Sequence, residues 1–81
     1  MDNVLILLAS ITSANRLVYL LAREYGVHAN VIQTPKAIAT GGCSYCVRVR
    51  REYLQKAWDL VKKLGASTKG AFDERDYSRL L

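Results

Sequence analysis

Two cysteines, one proline, one histidine and one tryptophan are few enough to exclude several classes of protein at once. A disulfide scaffold needs more cysteines, and a closed structural zinc site within one chain needs four cysteine or histidine ligands, which this chain does not have. No apolar run approaches the length of a membrane span, because Val4–Ala9 is broken at Ser10 and again at Thr12 and Ser13. The amino terminus carries Asp2 and lacks the basic flank of a secretory leader, so the chain reads as cytoplasmic with no membrane partner. In a reducing compartment its two cysteines are expected as free thiols or a transient pair. The 81 residues leave room for one domain, 1–81, around one small core, for which an apolar content of 51% is ample.

Basic residues outnumber acidic ones by 12 to 7, and Arg48, Arg50, Arg51, Lys56, Lys62, Lys63 and Lys69 crowd the second half. That distribution favours an anionic ligand or partner. Lys56, Lys62 and Lys63 also fit a simple solvated helix face.

The periodicities give a sequence of elements. Asn3 to Ala9 is a near-continuous aliphatic run of strand length, read as a buried central strand. Ser10, Thr12 and Ser13 offer side-chain oxygens to the open amides of a helix start, after which Ala14, Leu17, Val18, Leu21 and Tyr25 recur at helical spacing until Gly26. Val27–Gln33 alternates as a half-buried strand does. Tyr45, Val47 and Val49 alternate with Cys46, Arg48 and Arg50, so the first set is expected to face the core and the second the open face of a sheet. Leu54, Ala57, Trp58, Val61 and Leu64 form the stripe of a second helix that Gly65 ends. Beyond Lys69 the pattern weakens to a short edge strand at Ala71 and Phe72, followed by a polar end expected to be loose or helical.

Strand, helix, strand, strand, helix, weak strand is the order of a ferredoxin-like split β-α-β sandwich, an α+β fold with two helices on one face of an antiparallel sheet. Right-handed crossovers then bring the end of the first strand to the sheet edge where the second strand turns into the third. The amino end of the first helix, at Ser10, is expected beside the connection that carries Gly41, Gly42 and Cys43.

That connection, Thr34 to Cys46, holds both cysteines and the only proline. Cys43 follows two glycines whose backbone freedom would let amides approach an anion, and Ser44 adds a hydroxyl. A helix amino terminus and Arg48 would both favour the thiolate, the reactive form of the thiol. Cys43 also fits the bland reading of a small buried residue ending a turn. Cys46 is open to three readings: a resolving thiol for Cys43, a metal ligand, or filler in a subunit interface. The two cysteines have Cys-x-x-Cys spacing but enter a strand rather than open a helix, which argues against a thioredoxin-type site. His28, near the start of the second strand, falls at the opposite edge.

A short aliphatic strand leading through Ser10 into a helix, then Val27–Gln33, Thr34-Pro35-Lys36, Ile38, a small-residue run, Cys43 and the basic strand Val47-Arg48-Val49 together resemble the selenium/sulfur carrier protein-like family of small domains. The resemblance runs to about Gly65. It implies a carrier cysteine, which transfers to Cys43, and Arg48 matches the basic residue that follows in the family's strand.

The sequence therefore points to a carrier or accessory protein rather than a stand-alone enzyme. Cys43 would hold a persulfide- or selenide-type adduct for delivery between sulfur or selenium donor and acceptor proteins, with Ser10, Gly41, Gly42, Ser44 and Arg48 around the anion. No cofactor is expected within one chain. The first alternative is a dimeric redox module, or one that shares a metal or cluster across a homodimer through Cys43 and Cys46. A small nucleic-acid-binding domain ranks last, since no exposed aromatic residues for base stacking accompany the basic strand.

Overall fold

The aliphatic run at the start forms β1, Asn3–Leu8, and every residue from Val4 to Leu8 is buried. β1 is the inner strand on which the sheet is built. A computed structural model describes residues 2–39 and 45–81 and gives, after β1, helix α1 (Ile11–Tyr25), β2 (Asn30–Gln33), β3 (Tyr45–Arg50), a single 3-10 turn at Arg51–Tyr53, helix α2 (Leu54–Leu64) and β4 (Thr68–Asp73). The strands lie in the order β2-β3-β1-β4, all neighbours antiparallel. This is the expected ferredoxin-like α+β arrangement.

The helices begin and end where local chemistry dictates. Ser10 sits in extended backbone and its Oγ accepts from the Ser13 amide at 3.2 Å, satisfying one open donor of the first turn. Gly26 and Gly65 take the left-handed conformation with φ of 65° and 67°, and each returns its amide to a carbonyl of the last turn. A side chain there would be strained, which is why glycine stops both helices.

Two apolar clusters hold the sheet. The larger lies on the helical side, where Val4, Ile6, Leu8, Val47, Val49 and Ala71 meet Ala14, Leu17 and Leu21 of α1 and Ala57, Leu60 and Val61 of α2. The inward set Tyr45, Val47 and Val49 falls there as the alternation requires, and Trp58 packs against its rim. The smaller cluster lies on the other face, where Leu5, Leu7 and Cys46 are capped by Ile38, with Ile32 and Phe72 at the margin. Each leucine buried this way stabilises the fold by roughly 1.5–3 kcal/mol, so the second cluster is a substantial contribution and not a trimming of the first.

Three details differ from the sequence expectation. β2 starts at Asn30, because Val27 and Ala29 are buried without entering the ladder. The face opposite the helices is covered rather than open, because Pro35 accepts the amides of Ile38 and Ala39 and the resulting turn lays Ile38 over Leu5 and Leu7. The carboxyl end is ordered against β4: the Leu80 amide donates to Ala71 O at 2.7 Å, the Ala71 amide to Leu81 O at 3.2 Å and the Asp73 amide to Ser78 O at 2.9 Å. Backbone pairing, which a polar sequence does not announce, fixes that segment.

Candidate functional site

One edge of the sheet collects the ends of several elements. Leu8 at the end of β1 pairs with Tyr45 at the start of β3, Gln33 at the end of β2 pairs with the same Tyr45, and Thr68 at the start of β4 pairs with Leu8. The amino end of α1, with Ser10, follows two residues after Leu8 and so belongs to this edge, and so does the connection that leaves β2 at Thr34. Further bonds close it. Thr68 Oγ1 donates to Leu7 O at 2.7 Å across the irregularity in the β1–β4 register, and the Ala9 amide donates to Ser67 O at 3.3 Å.

Thr40, Gly41, Gly42, Cys43 and Ser44 lie outside the described residues. Of their flanks, Tyr45 lies at the edge just described and the Ala39 amide donates to Pro35 O.

The charge pattern of this edge is one-sided. The described parts of three segments of the chain, 9–13, 33–45 and 65–69, adjoin it, and none of the 7 acidic residues of the sequence falls in any of the three, whereas Lys36 and Lys69 do. No acidic residue occupies the first turn of α1, so the partial positive charge of its open amides is not offset by a carboxylate on its own first turn. α2 ends at the same edge, and Lys62 and Lys63 in its last turn counter the negative end of its dipole.

Cys46 is not on an open surface. Its side chain is wholly buried beneath Ile38, and Sγ donates to Thr34 Oγ1 at 3.2 Å. Burial pushes the Cys46 thiol up from its ordinary value of 9.0, and the bond to Thr34 only partly opposes this. A group in that state is a neutral thiol packed in a hydrocarbon cluster, which is poor equipment for a resolving nucleophile or a metal ligand. It fills its own chain's second cluster rather than a subunit interface. Among the described residues no three His, Cys, Asp or Glu side chains come together to hold a metal ion.

Arg48 shares the face of Cys46 but turns from the edge. It sits opposite Leu5, in the middle of β1, and its Nε lies 3.0 Å from Glu74 Oε2 and donates to Oε1 at 3.1 Å. Glu74 also accepts from Asn3 Nδ2 at 3.1 Å, which draws the guanidinium toward the start of β1. Its charge is thus balanced by a carboxylate at the far end of the sheet. His28 is exposed, before the start of β2, away from the edge.

Sequence reasoning passed over Thr34 as the partner of Cys46, Ile38 as the cover of the second cluster and Glu74 as the partner of Arg48. The signal for Ile38 was present: one large aliphatic residue in a run of small and polar ones directly after a proline is a side chain the turn is built to bury.

Two shallow hollows among the described residues lie away from this edge. One of about 340 Å³ lies between the helices among Leu20, Arg23, Glu24, Lys63 and Leu64, and one of about 300 Å³ lies at the far end among Asp2, Arg50, Arg51 and Glu52. No helix among the described residues is long and apolar enough to cross a membrane. No curated protein and no solved structure matches the chain. The model of one family, described as "Putative Se/S carrier protein-like", matches residues 3–73, reaching past Gly65 through β4. A match over β1 to β4 covers the whole sheet and both helices, and the chain belongs to the Putative Se/S carrier protein-like family.

Proposed function

We propose that the chain carries sulfur or selenium on Cys43, in a cytoplasmic setting, between a donor and an acceptor protein. The observation that carries this reading is the state of the other cysteine. The chain has 2 cysteines, and the one at position 46 is buried, bonded to Thr34 and held toward its neutral form. In a family named for sulfur and selenium carriage, the exchange chemistry falls to Cys43.

The exchange needs no external oxidant. The Cys43 thiolate attacks the outer sulfur of a donor persulfide, R–S–SH; the donor S–S bond breaks, R–S⁻ leaves, and Cys43 holds the outer sulfur as –S–SH. Delivery is the same step reversed in direction, with an acceptor thiolate taking the outer sulfur and Cys43 departing as thiolate. Selenium follows the same path from a donor R–S–SeH. Both steps run through anions at Cys43, and the edge without carboxylates supports their formation, with the α1 amino end and the Ser10 hydroxyl nearest in the chain's topology. Gly41, Gly42 and Ser44 are assigned to contact the adduct. Arg48, held by Glu74, has no direct part.

Incubation with a small-molecule persulfide followed by intact mass measurement tests the reading. One added sulfur is expected on the wild type and on Cys46→Ser, and none on Cys43→Ser. An unmodified wild type, or an adduct that survives Cys43→Ser, removes the proposal.

A further inference from the structure

The sheet has two edge strands, and the chain treats them differently. β4 is occupied along its outer side by the returning carboxyl segment, through the backbone bonds of Ala71 and Asp73 and the bridge between Phe72 and Arg79. The contact is close: at Gly70, with φ of 116°, an added Cβ would meet Leu81 O at 2.8 Å. β2 pairs with β3 alone, and its outer backbone groups have no partner among the described residues.

An open strand edge is ordinarily guarded by lysine, proline, a bulge or a covering segment. Asn30–Gln33 is short and shows none of these among the described residues, and it carries no charge in a chain of net charge +5. Its two aliphatic residues point to opposite faces, and both are only half-buried: Val31 packs on the helical cluster and Ile32 on the cluster beneath Ile38. An added strand would therefore extend both clusters together.

We infer that β2 pairs antiparallel with β2 of a second copy of this chain, joining two four-stranded sheets into one of eight. The features of the edge favour this occupant. Antiparallel pairing of identical strands about a two-fold axis is self-complementary: with the axis at Val31 or at Ile32, that residue faces its own copy, and the helices of both chains stay on one side of the joined sheet. A charged partner strand would find no matching charges at Asn30–Gln33, whereas two basic copies meet where neither carries any. The inference does not depend on the sulfur chemistry, but it constrains it. Across such a seam the two connections leave β2 in opposite directions, from points roughly 7 Å apart along the strands with the axis at Ile32 or roughly 13 Å with it at Val31. A dimer of this kind displays two separate edges and does not build a shared cluster from both.

Sedimentation equilibrium in the presence of a thiol reductant, which removes disulfide-linked species, is the test. The wild type is expected at twice the 9.1 kDa chain mass, and the double variant Asn30→Lys, Gln33→Lys at the single-chain mass with an unchanged circular dichroism spectrum. A wild type that stays single at the highest concentration reached overturns the inference and leaves the edge for a different chain. A folded double variant that still dimerises overturns it as well. If the variant does not fold, amide exchange of Asn30–Gln33 in the wild type across a dilution series decides. Protection that rises with concentration supports the seam, and protection independent of it refutes the seam.

Discussion

The two ends of the sheet are built from opposite materials. At the end where β1 begins, four acidic residues are spent on ion pairs: Asp73 with Arg51 at 2.9 Å and Arg75 at 3.6 Å, Glu74 with Arg48 at 3.0 Å, Glu52 with Arg50 at 3.0 Å, and Asp2 with Arg75 at 3.7 Å. At the end where β1 finishes there is no acidic residue, only hydroxyls, backbone amides and two lysines. The first end is a clasp that ties the chain's beginning and its last segment to β3, with the Arg51 amide on Asp2 O and the Glu74 amide on Asn3 O. The second end draws no carboxylate from its own three segments. Net charge alone misses this division, because the surplus of bases matters less than where the acids have been placed.

Three measurements can break or sharpen that contrast. The largest effect is expected from Asp73→Ala, because Asp73 is buried and accepts from both Arg51 and the Arg75 amide. Its loss should lower unfolding stability by about 2 kcal/mol in urea titration, while the rate of Cys43 alkylation stays at the wild-type value. A clasp that also changed thiol reactivity would not be purely structural. Ser10→Asp reverses the pattern. Aspartate caps a helix as well as serine does, so stability should hold within a few tenths of a kcal/mol, yet the carboxylate places an anion at the acid-free edge. A Coulomb term of about 1 kcal/mol should slow alkylation of Cys43 near neutral pH roughly fivefold; an unchanged rate would show that the edge potential does not reach the sulfur.

The smallest effect concerns Cys46. Folding raises its thiol pKa, so the native state keeps a proton that the unfolded chain releases, and stability from this source is whole below the ordinary value of 9.0 and lost as pH rises through the folded value. The stability difference between wild type and Cys46→Ala, read from urea midpoints, should therefore be flat through neutral pH and shrink in the alkaline range. A difference that grows there would mean the thiolate is the favoured native form.

Much of the architecture was legible because the signals were local. Ser10, Gly26 and Gly65 mark helix ends by their own backbone chemistry, and the alternation of Tyr45 to Arg50 sorts its residues correctly between the two faces of the sheet. What alternation cannot supply is the fate of a face. β1 reads as buried on both sides, and Leu5 and Leu7 must be covered by something, yet the cover is a single isoleucine delivered by a turn twelve residues before Arg50 of a different strand. For that reason Cys46 was expected at an open surface and is buried. The carboxyl segment escaped for a similar reason: its attachment to β4 is made by backbone groups, which every sequence possesses.

The bond between Cys46 and Thr34 bears on the fate of any sulfur loaded at position 43. A neighbouring thiol three residues away would ordinarily offer the shortest route for discharge, closing a ring and spilling the cargo as sulfide. Protonated and sealed under Ile38, Cys46 withholds that route for as long as the chain stays folded, so on the proposed carriage a loaded atom would wait for a visitor's thiolate.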